Sequence, residues 1–376
     1  MVRLTTIVAL TGAMLCVARV ASADCSTPVV SPCIDSDTFW PHAGPSEFLT
    51  VGGTETVEAN RFAAGLVASY ASRPIVLQLP SAPDSPRPAV DNQLDATFLF
   101  AFGVTDRLEL DLALPVTVYQ DGAGTSPLTG SSSDVPSTAS RDLRFGATYT
   151  LLARPNKHPW RHDASGFGLA ARFEAVAPTG DDDAFATGGG GVYAPSLALD
   201  YRSYRLSLGA EIGARIRPES DFVGARIGTQ GVFAAGVGLD VLKRHDLLTF
   251  TAELRALPVF TQQASVTQTP SGLATSANGT YIVPLEWMVT ARTAPIEGGD
   301  LSFQLGVGGG IPTSTDSNGG VFDPVTVPRL RIALAIEFAP RGRDTDEDGV
   351  PDAIDRCPLE PGPKSTGGCP TPPSSP

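Results

Sequence analysis

From about Arg61 onward the chain repeatedly alternates apolar residues with small or polar ones at period two, the spacing of a strand with one apolar face. The run "RLSLGAEIGARIR" shows it most clearly. Leu206, Leu208, Ala210, Ile212, Ala214 and Ile216 fall on one face; Arg205, Ser207, Gly209, Glu211, Gly213, Arg215 and Arg217 fall on the other. Strands of soluble sheets usually stop at about 5–6 residues, whereas a tilted strand crossing a bilayer needs about 9–11. Roughly twelve runs of the longer kind follow one another, from "RFAAGLVASY" through "RLELDLALPVTVY" and "LLTFTAELRALPVF" to "RLRIALAIEF".

The connections between them alternate in length. "VTDR", "SY", "KRHD" and "TAPIEGGD" are short, with "RPNKHPWRHDAS" the exception on that side; the long ones are Ala71–Asn92, Gln120–Ser140, Pro178–Gly191, Pro218–Gly228, Thr261–Asn278 and Pro312–Val327. A sandwich or propeller has no reason to alternate so, while outer-membrane barrels join short inner turns to long outer loops. In hydrocarbon each unpaired edge amide costs several kcal/mol, so the strands must close on themselves. The predicted fold is all-β: an antiparallel transmembrane β-barrel of about twelve strands over residues 59–340, in the outer membrane of a Gram-negative-type bacterium. An even strand count returns both termini to the periplasm. Tyr70, Tyr119, Tyr193, Tyr201, Tyr204 and Tyr281 fall at strand ends, where an aromatic belt meets headgroups.

With the apolar face on lipid, the other face lines a lumen. Its predicted basic residues include Arg144, Arg172, Arg205, Arg215, Arg255 and Arg331, and its acids Glu174, Glu211, Glu253 and Glu286. Acids and bases are about equally numerous, which favours cross-strand ion pairs and weak ion selectivity. Gly236, Gly238, Gly306, Gly308 and Gly310 point the same way and leave space there, or mark strand curvature.

Outside the barrel, "MVRLTTIVALTGAMLCVARVASA" reads as a signal peptide over 1–23, with Ala21-Ser22-Ala23 as its cleavage site. Residues 24–58 then form an N-terminal periplasmic segment. Four cysteines remain after cleavage, Cys25, Cys33, Cys357 and Cys369, in an oxidising compartment. Disulfides within each local pair are favoured over the other connectivities and over zinc, because no His lies near either pair. The formal charge of −13 excludes nucleic acid as a partner.

Near the C-terminus "DTDEDGVPDAIDRCP" places Asp344, Asp346, Asp348, Asp352 and Asp355 in the alternating register of a calcium loop. Gly349 stands at the sharp turn, and the Val350 carbonyl is available as a further ligand. An Asp stands where an EF-hand has its bidentate Glu. With Cys357-Pro358 following, the stretch resembles a thrombospondin type 3 repeat, and the resemblance implies bound Ca²⁺ at residues 341–358. The tail 359–376 reads as Pro-rich and disordered.

"FGVTDRLELDLALPVTVYQDGAG" with "DLRFGATYTLL" resembles the barrel of bacterial outer-membrane proteins that carry thrombospondin type 3 repeats and an OmpA-like domain; this chain ends at Pro376 without that domain. The resemblance implies a barrel in outer-membrane lipid. The expected function is a passive channel or porin-like transporter for small solutes. The alternative is a non-conducting structural barrel whose tail engages a periplasmic protein partner. Oligomeric state is not legible. No enzyme is expected: His158, His162 and His245 fall in inner turns and His42 precedes the barrel, so no outer rim receives an imidazole.

Overall fold

The alternation written along the chain is realised as twelve antiparallel strands. The computed structural model describes residues 32–79, 82–130, 134–154, 166–203, 205–242, 247–269, 272–295, 300–312, 314–315, 321–322 and 327–340. Beyond the barrel it describes residues 346, 348, 350, 356–357 and 359–370. The strands are β1 (Phe62–Leu79), β2 (Ala82–Thr105), β3 (Leu108–Asp121), β4 (Leu143–Leu152), β5 (Gly166–Ala177) and β6 (Val192–Ser203). They continue as β7 (Leu206–Arg215), β8 (Gln230–Asp240), β9 (Thr249–Ala256), β10 (Leu285–Thr293), β11 (Leu301–Gly310) and β12 (Leu330–Phe338). Each pairs with its neighbour in sequence, and β12 pairs with β1 from Ala64↔Phe338 to Ser72↔Leu330, so the sheet closes into a barrel with no free edge.

The faces divide as the period-two pattern requires. Along β12 the exposed residues are Leu330, Ile332, Leu334, Ile336 and Phe338, while Arg331, Ala333, Ala335 and Glu337 are buried inside. Every strand adds to the outer girdle: Leu66, Phe98, Leu110, Phe145, Phe173, Leu197, Ile212, Phe233, Phe250, Trp287, Leu305 and Leu334 are all exposed. An exposed apolar girdle on a closed barrel is a lipid-facing surface, where an Arg or Lys at mid-depth costs about 2–4 kcal/mol. Arg144, Arg172, Arg202, Arg215, Arg255, Arg292 and Arg331 are accordingly buried on the inner face.

The structure differs from the sequence expectation in three places. Ala71–Asn92 is not a loop: β1 and β2 run on as a hairpin, pairing Ile75↔Val90, Val76↔Pro88 and Leu77↔Arg87. Its prolines suggest a loop, but register shifts after Ser72, Ile75 and Leu77 accommodate them within the ladder. Three other long loops carry hairpins of their own, Ser220–Phe222 with Ala225–Ile227, Ala264–Thr269 with Gly272–Ala277 and Ser314–Thr315 with Val321–Phe322.

The third difference concerns residues 24–58, expected in the periplasm. The described part, from residue 32, contains neither helix nor strand and runs inside the barrel, where Ile34, Phe39, Phe48, Leu49, Val51 and Val57 are buried. Irregular backbone survives at membrane depth only inside protein, where polar side chains replace water as its partners. Twelve strands leave room for such a chain; about eight are already filled by their own side chains.

Beyond β12, Cys357 and Cys369 are disulfide-bonded to each other. Cys33 is also disulfide-bonded, and Cys25 lies outside the described residues.

Candidate functional site

Among the described residues, charge, burial and shape converge at the lumen and the segment threaded through it. The segment, here the plug, starts at the long-loop end. Ile34 packs there against Ile75, Leu77, Val90, Val135, Phe185 and Phe222, and the Ser36 N–H donates to Phe185 O at 2.9 Å. Arg141 pairs with Asp35, and Arg331 donates through Nη2 to Asp37 Oδ1 at 2.8 Å.

Further down, the Phe39 ring lies 4.8 Å from the Arg331 guanidinium carbon, and the Trp40 ring centroid lies 4.9 Å from that of Arg144 and 3.6 Å from that of Arg215. His42 follows, buried. Arg172 Nη2 donates to its Nδ1 at 2.8 Å, Glu174 Oε1 lies 3.4 Å from that nitrogen, and Glu211 Oε2 lies 3.7 Å from Nε2. His42 thus reaches mid-lumen rather than merely preceding the barrel, because the plug carries it there.

Below His42 the barrel's carboxylates take up the plug's backbone amides. Glu253 accepts from Leu49 N (2.9 Å), Thr50 N (2.7 Å) and Thr50 Oγ1 (2.7 Å). Glu211 accepts from Gly52 N at 2.8 Å and Glu109 from Val57 N at 2.7 Å. Arg202 donates to Glu47 at 2.6 Å, Thr54 Oγ1 donates to Asp200 at 2.6 Å, and Arg154 pairs with Glu55. The plug reaches the short-turn end at Asn60, whose N–H donates to Gly103 O at 2.7 Å, and enters β1 there.

Glycines supply the fit. A Cβ on Gly209 would stand 2.6 Å from the Phe48 ring and one on Gly236 2.7 Å from it, so both positions form a notch for that side chain. Gly306 faces Leu49 less closely, its Cβ position 3.5 Å from Leu49 Cδ1. Two cavities in the lumen measure about 30 Å³ each, beside Glu47 and Arg202 and beside Trp40 and His42. Such spaces hold water and little else.

Arg144, Arg172, Glu174, Glu211, Arg215, Glu253, Arg255, Glu286 and Arg331 are buried in this interior, but their partners were misjudged. Cross-strand pairing holds for Arg255 with Glu286 (3.1 Å) and Arg331 with Glu286. Arg144, Arg172, Glu174, Glu211, Arg215, Glu253 and Arg331 all touch the plug. Arg205 sits at the short-turn end, where its carbonyl accepts from Asp240 N at 2.9 Å. Of the predicted calcium ligands, Asp346, Asp348 and Val350 are described and Asp344, Asp352 and Asp355 lie outside the described residues. Asp348 accepts from Val350 N at 2.7 Å and Gly362 N at 2.9 Å, which folds the cystine segment back on the loop.

Ile34 lies by the long loops, and β12 ends at the short-turn end, where Phe338 pairs with Ala64 and Leu301; the expectation that both termini share one side concerns chain ends that lie outside the described residues. The plug went unread because it lacks any period. Its one signal was a cluster of large apolar residues, "FWPHAGPSEFLTV", in a segment without strand alternation.

No protein-family model matches the chain, and no curated protein matches it. Among solved structures it is similar to the COG4313 outer membrane channel from Pseudomonas putida F1, at 14% identity and a TM-score of 0.50, over 76% of this chain and 98% of that one. It also matches the KdgM porin (8% identity, TM-score 0.37, 73% and 98% covered) and the TodX monoaromatic hydrocarbon channel deltaS2 mutant (11%, 0.41, 76% and 91%). The first similarity shows a shared outer-membrane barrel fold; the other two carry no further argument.

Proposed function

We propose that the protein is an outer-membrane channel for small solutes that its own N-terminal segment closes. The observation that carries this reading is the plug itself: a strandless segment, held mainly by side chains rather than by the β-ladder, fills the lumen of a twelve-stranded barrel. Individual hydrogen bonds of this kind contribute about 1 kcal/mol, or about 1.5–3 kcal/mol when one partner is charged. The plug is therefore retained by many separable contacts and can leave while the barrel stays closed.

The tail belongs to the same proposal. Asp344, Asp346, Asp348, Asp352 and Asp355 with the Val350 carbonyl hold one Ca²⁺ on the periplasmic side and order the link to a periplasmic partner.

Planar-bilayer recording tests the channel. Wild-type protein should stay mostly closed, with rare steps, and the full-length Asp37→Ala/Glu47→Ala variant, which unpairs Arg331 and Arg202 from the plug, should show frequent, reproducible steps. Silence from both, in demonstrably inserted barrels, would favour the non-conducting structural barrel.

A further inference from the structure

Arg144 on β4 and Arg215 on β7 are buried cations whose partners are unlike those of their neighbours. Arg141 pairs with Asp35, Arg172 with Glu174, Arg202 with Glu47, Arg255 with Glu286, and Arg331 with Asp37 and Glu286. Arg144 and Arg215 have no carboxylate within ion-pair distance among the described residues. Arg144 Nη2 donates to Pro41 O at 3.3 Å and its Nη1 has no hydrogen-bond partner; Arg215 donates to Thr38 O at 3.4 and 3.5 Å. Both guanidiniums also lie over the Trp40 ring, 4.9 and 3.6 Å from its centroid.

Each of these contacts comes from the plug, and none of them is ionic. The π-face of an indole attracts a cation through its quadrupole, but it bears no net charge to offset two guanidiniums withdrawn from water. A small anion would complete the pair better than the ring does. A carboxylate in particular matches the planar fork of a guanidinium with two parallel hydrogen bonds.

We infer that Arg144 and Arg215 form an anion-binding waist of the lumen, and that the Trp40 ring holds the place of a small monovalent anion while the plug is docked. When the plug leaves, Thr38, Trp40 and Pro41 leave with it, and the two guanidiniums face the open path. The open channel then favours small anions at its waist, carboxylates foremost, although the lumen as a whole is balanced in charge. This part rests on the plug being displaceable; the presence of the site does not.

Full-length Trp40→Ala in detergent separates the two. Removing the indole opens space between the guanidiniums, so sodium acetate, at constant ionic strength against a bulky sulfonate, should raise the thermal midpoint saturably. Wild type and Trp40→Ala/Arg144→Gln/Arg215→Gln should show no such rise. An equal rise with chloride would support an anion site without carboxylate preference. No rise in Trp40→Ala, or an equal rise in the triple variant, would overturn the site. In bilayers, adding Arg144→Gln/Arg215→Gln to the Asp37→Ala/Glu47→Ala channel should lower its anion-over-cation permeability ratio by roughly threefold or more. Steps with unchanged selectivity refute the waist and spare the plug; absence of steps refutes the plug, and the thermal measurement then decides the site alone.

Discussion

Gly236 shows what a single atom does in this lumen. Its added Cβ would stand 2.7 Å from the Phe48 ring, closer than real Cβ contacts come, and Phe48 is clustered with Val51 and Ala234. Gly236→Ala should therefore push the plug out of its notch while leaving the wall ladder, Ala235↔Leu254 and Val237↔Ala252, unchanged. The expected result is a higher open probability in bilayers with the barrel's thermal midpoint preserved; a closed channel of ordinary stability would show that the plug accommodates the methyl elsewhere. Space at this glycine was legible in the sequence, because it lies on the inward face of an alternating run. What fills it was not. Phe48 is far from Gly236 in the chain, and contacts across such separations leave no period to read. The same holds for Glu253, whose inward direction followed from "FTAELRAL" but whose amide partners, Leu49 and Thr50, did not.

At the scale of elements, legibility followed regularity. The strands were readable because one face meets lipid and the other does not, a contrast that each run repeats. β1 and β2 exceeded expectation because bulges let Pro88 sit within a ladder, and composition alone does not show a bulge. The plug was unreadable for the opposite reason: the wall around it is apolar at Ile34, Phe39 and Leu49 and charged at Asp37, Glu47 and Thr50, so neither apolar nor polar residues recur along it at a fixed period. The proposed calcium loop rests on a local motif, which can be read without any fold. A peptide spanning residues 341–376 with its disulfide formed should bind one Ca²⁺ at about 10⁻⁴–10⁻³ M by isothermal titration, and Asp346→Ala should abolish the heat. Equal binding by the variant would remove this loop from consideration as a calcium site.

For the molecule as a whole, the described plug runs from the long-loop end at Ile34 to the short-turn end at Asn60. If the long loops face outward, residue 32 lies at the cell surface and the calcium tail in the periplasm. A peptide tag inserted after Asp24 and a Ser276→Cys label should both be reached on intact cells by reagents that cannot cross the outer membrane, and a tag after Pro376 should not. A tag after Asp24 reached only once the membrane is broken would mean that the start of the chain doubles back. The threading also bears on how the molecule is made. The seam of the barrel joins β12, the last strand synthesised, to β1, the strand that directly follows the plug. A segment that runs from rim to rim and is gripped at Asp37, Glu47 and Val57 is most simply positioned while that seam is still open. In that order of events the sheet would curl around a peptide already laid along its inner face, and the carboxylates of Glu109, Glu211 and Glu253 would find amide partners before water is excluded. The segment that fills the lumen would then serve first as the mandrel on which the wall is wound.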